Sequence, residues 1–233
     1  SKQLAAIAKK YGQDRKTQLI SDEEFVEYKE EEHIEDYPVT IFFTKENYIK
    51  KVTDASLRST TAEHKLKEDD EVIQELRATN VSDLIFFTNK QNAYKMKTFD
   101  LEDSKVSAMG QYVPGLAGLD SDEKILYTVV TTNYNGMMLF GFENGKMAKV
   151  TLDGYATKTN RKKLINAYSD KSPVCGIKFM EEDRDIVVIS DNNKVLCLNT
   201  EKIPVKTTKN TQGVKVLNLT KKGAKMVQVM YAE

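Results

Sequence analysis

Short runs of β-branched and aromatic residues, broken by polar turns, organise this chain. The clearest is Val39-Thr40-Ile41-Phe42-Phe43-Thr44, which passes through Lys45-Glu46-Asn47 into Tyr48-Ile49-Lys50-Lys51-Val52. Such side chains fit a pleated, half-buried surface and Lys-Glu-Asn is turn chemistry, so the stretch predicts a β-hairpin. The same pattern returns three times. Ile85-Phe86-Phe87-Thr88 turns at Asn89-Lys90-Gln91-Asn92 into Ala93-Tyr94-Lys95-Met96-Lys97. Met138-Leu139-Phe140-Gly141 turns at Phe142-Glu143-Asn144-Gly145 into Lys146-Met147-Ala148-Lys149-Val150. Val187-Val188-Ile189-Ser190 turns at Asp191-Asn192-Asn193 into Lys194-Val195-Leu196-Cys197-Leu198. The hairpins start at residues 41, 85, 138 and 187, at intervals of 44, 53 and 49. One hairpin every 40–50 residues or so is the signature of a blade-like β array, here a mainly β fold of about four blades.

Between the hairpins, further strands are expected over residues 72–78, 125–131 and 174–179. The tail adds the runs 213–219 and 224–230, and the terminal strand over the last of these is expected to pair with an early blade, as ring-closing strands do. Ahead of the array, Leu4, Ile7 and Tyr11 fall at helical spacing among alanines, which predicts a helix over residues 2–11 that stops at Gly12. Ser21 and Glu24 have the spacing of a capping box, and the chain then stays acid-rich to Asp36. The expected organisation is a helix end and acidic linker over 1–36, then a β domain over 37–233.

Charge changes the picture more than overall composition does. The formal net charge is +0, but residues 1–36 hold ten acids against six bases and the remainder 25 against 29. Cations recur around the hairpins: Lys45, Lys50 and Lys51 at the first, Lys90, Lys95 and Lys97 at the second, Lys146 and Lys149 at the third, Lys194 at the fourth. Arg58 lies in the polar loop after the first hairpin, and Lys158, Arg161, Lys162 and Lys163 form the densest basic cluster. If the blades form an arc, equivalent lysines form a stripe that a bent duplex could follow. The competing reading is ordinary edge-strand lysines that block aggregation.

Other chemistry is sparse. His33 and His64 stand alone in polar surroundings, and no Gly-rich loop followed by Lys could cradle a phosphate. No metal site is expected. Tyr48 and Tyr94 suit core packing. Cys175 and Cys197 sit in apolar strand contexts and are expected to be buried, reduced thiols, which favours the cytoplasm. No apolar run approaches the roughly 20 residues that span a bilayer, so no membrane partner is expected. Without an initiator Met, the sequence reads as an excised fragment.

Three stretches carry a family resemblance. Lys10-Tyr11-Gly12-Gln13-Asp14-Arg15-Lys16-Thr17 resembles the segment leaving the coiled-coil helix in the A subunit of bacterial type IIA topoisomerases. Glu35-Asp36-Tyr37-Pro38-Val39-Thr40, continuing into Tyr48-Ile49-Lys50-Lys51, resembles that family's first C-terminal blade. Asn210-Thr211-Gln212-Gly213-Val214 is similar to the Asn-Thr-x-Gly-Val stretch of a closing blade. The resemblance implies a β-pinwheel that binds and bends double-stranded DNA on a basic rim. It implies no catalysis and no cofactor in this fragment, with ATP and Mg used by the parent enzyme. It also implies a B-subunit partner reached through the upstream part, a monomeric fragment, and a cytoplasmic, nucleoid-associated setting. One departure stands out. Gyrase A subunits carry a Gln-Arg-Arg-Gly-Gly-Lys-Gly box after the first hairpin, whereas residues 56–67 here hold no glycine and offer Arg58, Lys65 and Lys67. The resemblance is therefore to a topoisomerase IV A subunit, or to a gyrase A subunit without the box, in an enzyme that relaxes or decatenates DNA. A propeller-like protein-interaction scaffold is the alternative.

Overall fold

A computed structural model describes residues 34–157, 162–220 and 222–232. The helix and capping box expected near the N-terminus, and Lys158 and Arg161, lie outside the described residues. The four hairpins form as expected: β1 Pro38–Thr44 with β2 Tyr48–Thr53, β4 Asp83–Thr88 with β5 Ala93–Lys97, β8 Met137–Phe142 with β9 Lys146–Thr151, and β12 Asp185–Ser190 with β13 Val195–Asn199. Each turns on a residue with left-handed backbone, Asn47, Gln91, Gly145 or Asn193, at φ of 66°, 57°, 81° and 61°. This is the short hairpin loop that matches strand twist, and three of the four positions are Asn or Gly.

Each hairpin gains a third strand on its first-strand side: β3 Val72–Thr79, β7 Ile125–Thr131, β11 Val174–Met180 and β16 Met226–Tyr231. Here one expectation fails. The terminal strand β16 pairs with β12 of the fourth hairpin and not with an early blade. The rule obeyed by the first three blades, third strand on first hairpin strand, holds for the fourth as well.

A short strand then caps the second hairpin strand, and it comes from beyond the next hairpin. β6 Gln111–Tyr112 pairs with β2, β10 Lys163–Leu164 with β5, and β14 Val205–Lys206 and β15 Val214–Lys215 with β9. Each of the first three blades is thus sealed by chain that belongs to the following one. Among the described residues nothing seals β13. Val195 is the register equivalent of Ile49, Ala93 and Met147. Those three are fully or almost fully buried, whereas Val195 is 64% exposed.

Packing explains the hydrophobic pattern. Leu84 and Phe86 join Val39, Ile41 and Phe43 in a cluster between blades one and two. Ile85 and Phe87, on the opposite face of the same strand, join Met138 and Phe140 between blades two and three. Leu139 faces Ile186 and Val188 between blades three and four. A strand buried on both faces needs a continuous apolar run, as the second and third hairpins show. In the terminal blade Ile186 and Val188 are buried while Val187 and Ile189 are only half-buried. The core is therefore a series of inter-blade clusters, the arrangement of a repeat array.

Third strands of successive blades meet at the hub. Gln74 on β3 donates to the Thr128 carbonyl at 3.0 Å and accepts from the Thr128 N–H at 2.8 Å. The Phe179 N–H on β11 donates to the Tyr127 hydroxyl on β7, and Tyr231 on β16 donates to the Phe179 carbonyl. The opposite edges, β2, β5 and β9 with their sealing strands, and β13, make the rim.

Gly213 opens β15 with φ 71°, and a Cβ there would sit 1.8 Å from the Met147 carbonyl oxygen. Only glycine allows this close approach, so Gly213→Ala is expected to lift β15 off β9 and cost about 2 kcal/mol, read as a lower urea midpoint with an unchanged slope. An unchanged midpoint would show that the approach is not needed. Cys175 is half-buried, as expected in part, and burial pushes its thiol up to about 12. Cys197, against expectation, is exposed, because it shares the face of Val187 and Ile189, on which no further blade packs among the described residues.

Candidate nucleic-acid interface

The recurrent lysines are not one surface stripe. Lys51, Lys95 and Lys149 occupy the same register position, opposite Ile41, Ile85 and Leu139 on the neighbouring hairpin strand. Cys197, opposite Val187, stands there in blade four. Lys51 is buried, its ammonium 2.9 Å from Asp103 and 3.0 Å from Asn80 Oδ1. Lys149 is buried, 2.8 Å from Asp183 and 2.9 Å from the Thr200 carbonyl. Lys50, also buried, donates to the Lys65 and Val106 carbonyls at 2.7 and 2.9 Å. Burial pushes its pKa down, with Asp70 opposing. Ammonium groups already bonded inside the fold are not available to a ligand. Lys50, Lys51 and Lys149 therefore leave the candidate interface.

Their role is structural. Single 3-10 turns follow β5, β9 and β13 at Thr98–Asp100, Leu152–Tyr155 and Thr200–Lys202. The lysine of one blade reaches the turn that enters the next blade and the region of that blade's 3-10 turn: Asn80 and Asp103 from Lys51, Asp183 and Thr200 from Lys149. Lys95 reaches the equivalent place, with Thr157 Oγ1 at 3.1 Å and the Tyr134 ring centroid at 4.9 Å. It is half-buried, and desolvation lowers its pKa while Asp83 opposes.

The other candidates sort by their neighbours. Lys45, Lys90, Lys97 and Lys163 lie beside Glu71, Asp122, Asp83 and Asp120. The Asp122 hydrogen bond raises the Lys90 pKa, and Tyr94 with Asp120 raises that of Lys163. Lys146 donates to Gln212 at 3.1 Å, and Lys194 to the Asn218 carbonyl and Thr220. Arg58, at the end of the short helix α1 Asp54–Ser59, and Lys162 are exposed and make no ion pair among the described residues. Sequence reasoning missed Lys202, Lys206 and Lys215, which are also exposed on the rim side without an ion pair among the described residues. The signal was the Val-Lys dipeptide at 205–206 and at 214–215, two minimal strands that seal blade three and carry a lysine each.

Cations that make no ion pair among the described residues include, on blades two and three, Lys95, Lys162, Lys146, Lys206 and Lys215, with Lys202 and Lys194 on blade four. Blade one contributes Arg58, Lys65 and Lys67, exposed and without an ion pair among the described residues, in a stretch that also holds Glu63, Glu68, Asp69 and Asp70.

Among the described residues no three His, Cys, Asp or Glu side chains converge as a metal site. His64 is half-buried, edge-on to Phe42 at 4.5 Å, and burial with Lys50 nearby lowers its pKa. Tyr94 is buried as expected and donates to Glu123 at 2.6 Å, while Tyr48 is half-buried against Tyr112. No helix among the described residues is long and apolar enough to cross a membrane.

No protein-family model matches the chain. It is 30% identical over 203 residues to the A subunit of DNA gyrase from Streptomyces coelicolor, covering 82% of this chain and 24% of that protein. It is 23% identical over 232 residues to the A subunit of DNA topoisomerase 4 from Streptococcus pyogenes, covering 94% and 27%. The chain therefore spans about a quarter of the length of the curated relatives it matches. Its fold superposes on a crystal structure of the C-terminal domain of DNA topoisomerase IV with a TM-score of 0.73 at 23% identity, over 86% of this chain and 62% of the other. The chain is homologous to the A subunits of DNA gyrase and topoisomerase IV, and its four blades carry the β-pinwheel fold of the topoisomerase IV C-terminal domain.

Proposed function

We propose that this β-pinwheel binds and bends duplex DNA along the rim of blades two to four, presenting a segment to the strand-passage core of a type IIA topoisomerase. The observation that carries the reading is the line of carboxylate-free lysines on the rim of blades two and three, at Lys95, Lys162, Lys146, Lys206 and Lys215. Of the cations named from sequence, Arg58, Lys95, Lys146, Lys162 and Lys194 stay in the interface, and the paired Lys45, Lys90, Lys97 and Lys163 serve at its margin. Lys158 and Arg161 adjoin Lys162 in sequence and join the same basic run. In this reading the domain cleaves no DNA. The B subunit, ATP and Mg2+ work through the rest of the enzyme, in the cytoplasm at the nucleoid.

Bending a short duplex costs roughly 1–6 kcal/mol and must be offset by contacts along the bend. Blade one offers Arg58, Lys65 and Lys67 against the four acids Glu63, Glu68, Asp69 and Asp70, so its loop gives no net attraction to a phosphate track and is a poor anchor for extending the path into a chiral wrap. The parent enzyme is then one that relaxes or decatenates. The test is a gel shift with random-sequence duplex. Five to seven phosphate contacts give a log–log salt slope of about −5 to −6. The companion measurement relaxes a plasmid with a nicking-closing enzyme in the presence of the domain, and linking number is expected to stay unchanged. Absent or salt-independent binding would favour the protein-scaffold reading, and a dose-dependent linking shift would remove the non-wrapping half.

A further inference from the structure

Three blades place a lysine at one register position, and among the described residues two of those lysines meet a counter-charge. Lys51 meets Asp103 at 2.9 Å and Lys149 meets Asp183 at 2.8 Å. Lys95 has a hydroxyl, Thr157 Oγ1, and an aromatic face, Tyr134. No carboxylate among the described residues lies within ion-pair distance of it. The acid that acts on it most, Asp83, is engaged by Lys97 Nζ at 2.6 Å and by the Tyr134 hydroxyl at 2.8 Å. Asp100 accepts the Lys97 N–H at 3.2 Å.

Lys95 also differs in what lies in front of it. It lines a cleft of about 430 Å³ together with Lys97, Lys162, Phe99, Tyr134 and Thr157. Lys162 is exposed with no ion pair among the described residues, and Phe99 at the same cleft is 37% exposed. Three ammonium groups face two carboxylates, Asp83 and Asp100. A half-buried cation without a carboxylate beside it is costly unless an anion completes its shell. Desolvation already pulls the Lys95 pKa down, consistent with that missing charge.

We propose that this cleft is a phosphate site, in which a phosphate group bonded to Lys95 and Lys162 supplies the charge that Asp103 and Asp183 supply in the neighbouring blades. A phosphate suits the position because its several acceptor oxygens can meet the two ammonium groups at once. The phosphate belongs to the DNA backbone. That source rests on the DNA reading above, whereas the anion site itself does not.

The test uses Thr157→Asp, which places beside Lys95 the carboxylate that blade one has at Asp103. The whole chain is titrated with pyrophosphate at constant ionic strength and followed by amide chemical shifts. In the wild type, shifts are expected at Lys95, Lys97, Phe99 and Lys162. In the variant they are expected to vanish, with the melting temperature kept or raised. Lys95→Met serves as the second variant, expected to lose the same shifts, should the aspartate disturb folding. With duplex, Thr157→Asp is expected to reduce the magnitude of the salt slope by about 0.9, one phosphate's worth. Wild-type shifts that are absent, or that persist in both variants, overturn the site. Pyrophosphate binding lost in the variant with an unchanged duplex slope leaves the anion site and overturns its DNA source. Pyrophosphate binding without any duplex binding leaves the site and sinks the DNA reading instead.

Discussion

Replacing Lys149 with methionine is expected to destabilise the protein by about 3 kcal/mol, measured as a fall in the urea midpoint. Methionine keeps most of the side-chain volume, so the loss isolates the ammonium. Lys149 is 2% exposed and is bonded to Asp183 and the Thr200 carbonyl. Removing it leaves a carbonyl without that donor and a carboxylate without its cation. Asp183 is 32% exposed and can recover some hydration, which keeps the figure at the low end for a broken buried pair. Burial alone would raise the Asp183 pKa, but its bonds to Lys149 and Thr200 hold it below the usual carboxylate value.

The sign of the pH dependence follows. A depressed folded pKa contributes stability above the unfolded value, near 4, and that contribution is lost as pH falls through the folded pKa. The gap between Lys149→Met and wild type is therefore expected to narrow below pH 4. The equivalent position gives an internal ranking. Lys51→Met should behave like Lys149→Met, and Lys95→Met should cost clearly less because no carboxylate is orphaned. Equal losses at all three positions would show that the aliphatic stem, not the charge, holds successive blades together.

The same lysines show what the sequence could and could not convey. The hairpins were legible because burial on both faces demands continuous apolar runs, and because Asn47, Gly145 and Asn193 suit a left-handed turn. The recurrence of lysine was equally visible, but it reports the junction between blades. Its acid companions lie 52 residues on from Lys51, at Asp103, and 34 on from Lys149, at Asp183. No fixed spacing links them, and Lys50 is held by carbonyls that any residue possesses. The interface cations at Lys206 and Lys215 escaped notice because two-residue strands carry no periodicity. Cys197 looked like a core thiol because its neighbours are apolar, and it is exposed because no further blade among the described residues covers its face of the fourth sheet. The last strand was expected to close a ring, yet pairing within its own blade followed the rule of the other three.

Neutralising Lys162, Lys206 and Lys215 together, each to glutamine, is expected to weaken duplex binding by about a hundredfold near 0.1 M salt and to flatten the log–log salt slope by about 2.7. All three are exposed and none makes an ion pair among the described residues, so their removal breaks no bridge and exposes no buried acid. The matched control neutralises Lys45, Lys90 and Lys225, which are also exposed but sit beside Glu71, Asp122 and Glu143. A lysine held by a carboxylate must give up that attraction before it meets a phosphate, so its net gain is small. The control set is therefore expected to change affinity only a few-fold, although it removes the same formal charge. Since net charge changes equally in both triple variants, a purely long-range field would weaken them equally. A difference in slope between the two sets locates the phosphate track on the rim of blades two and three. Equal weakening would reduce the interface to overall charge, and no weakening in either would turn the rim lysines back into guards of exposed strand edges.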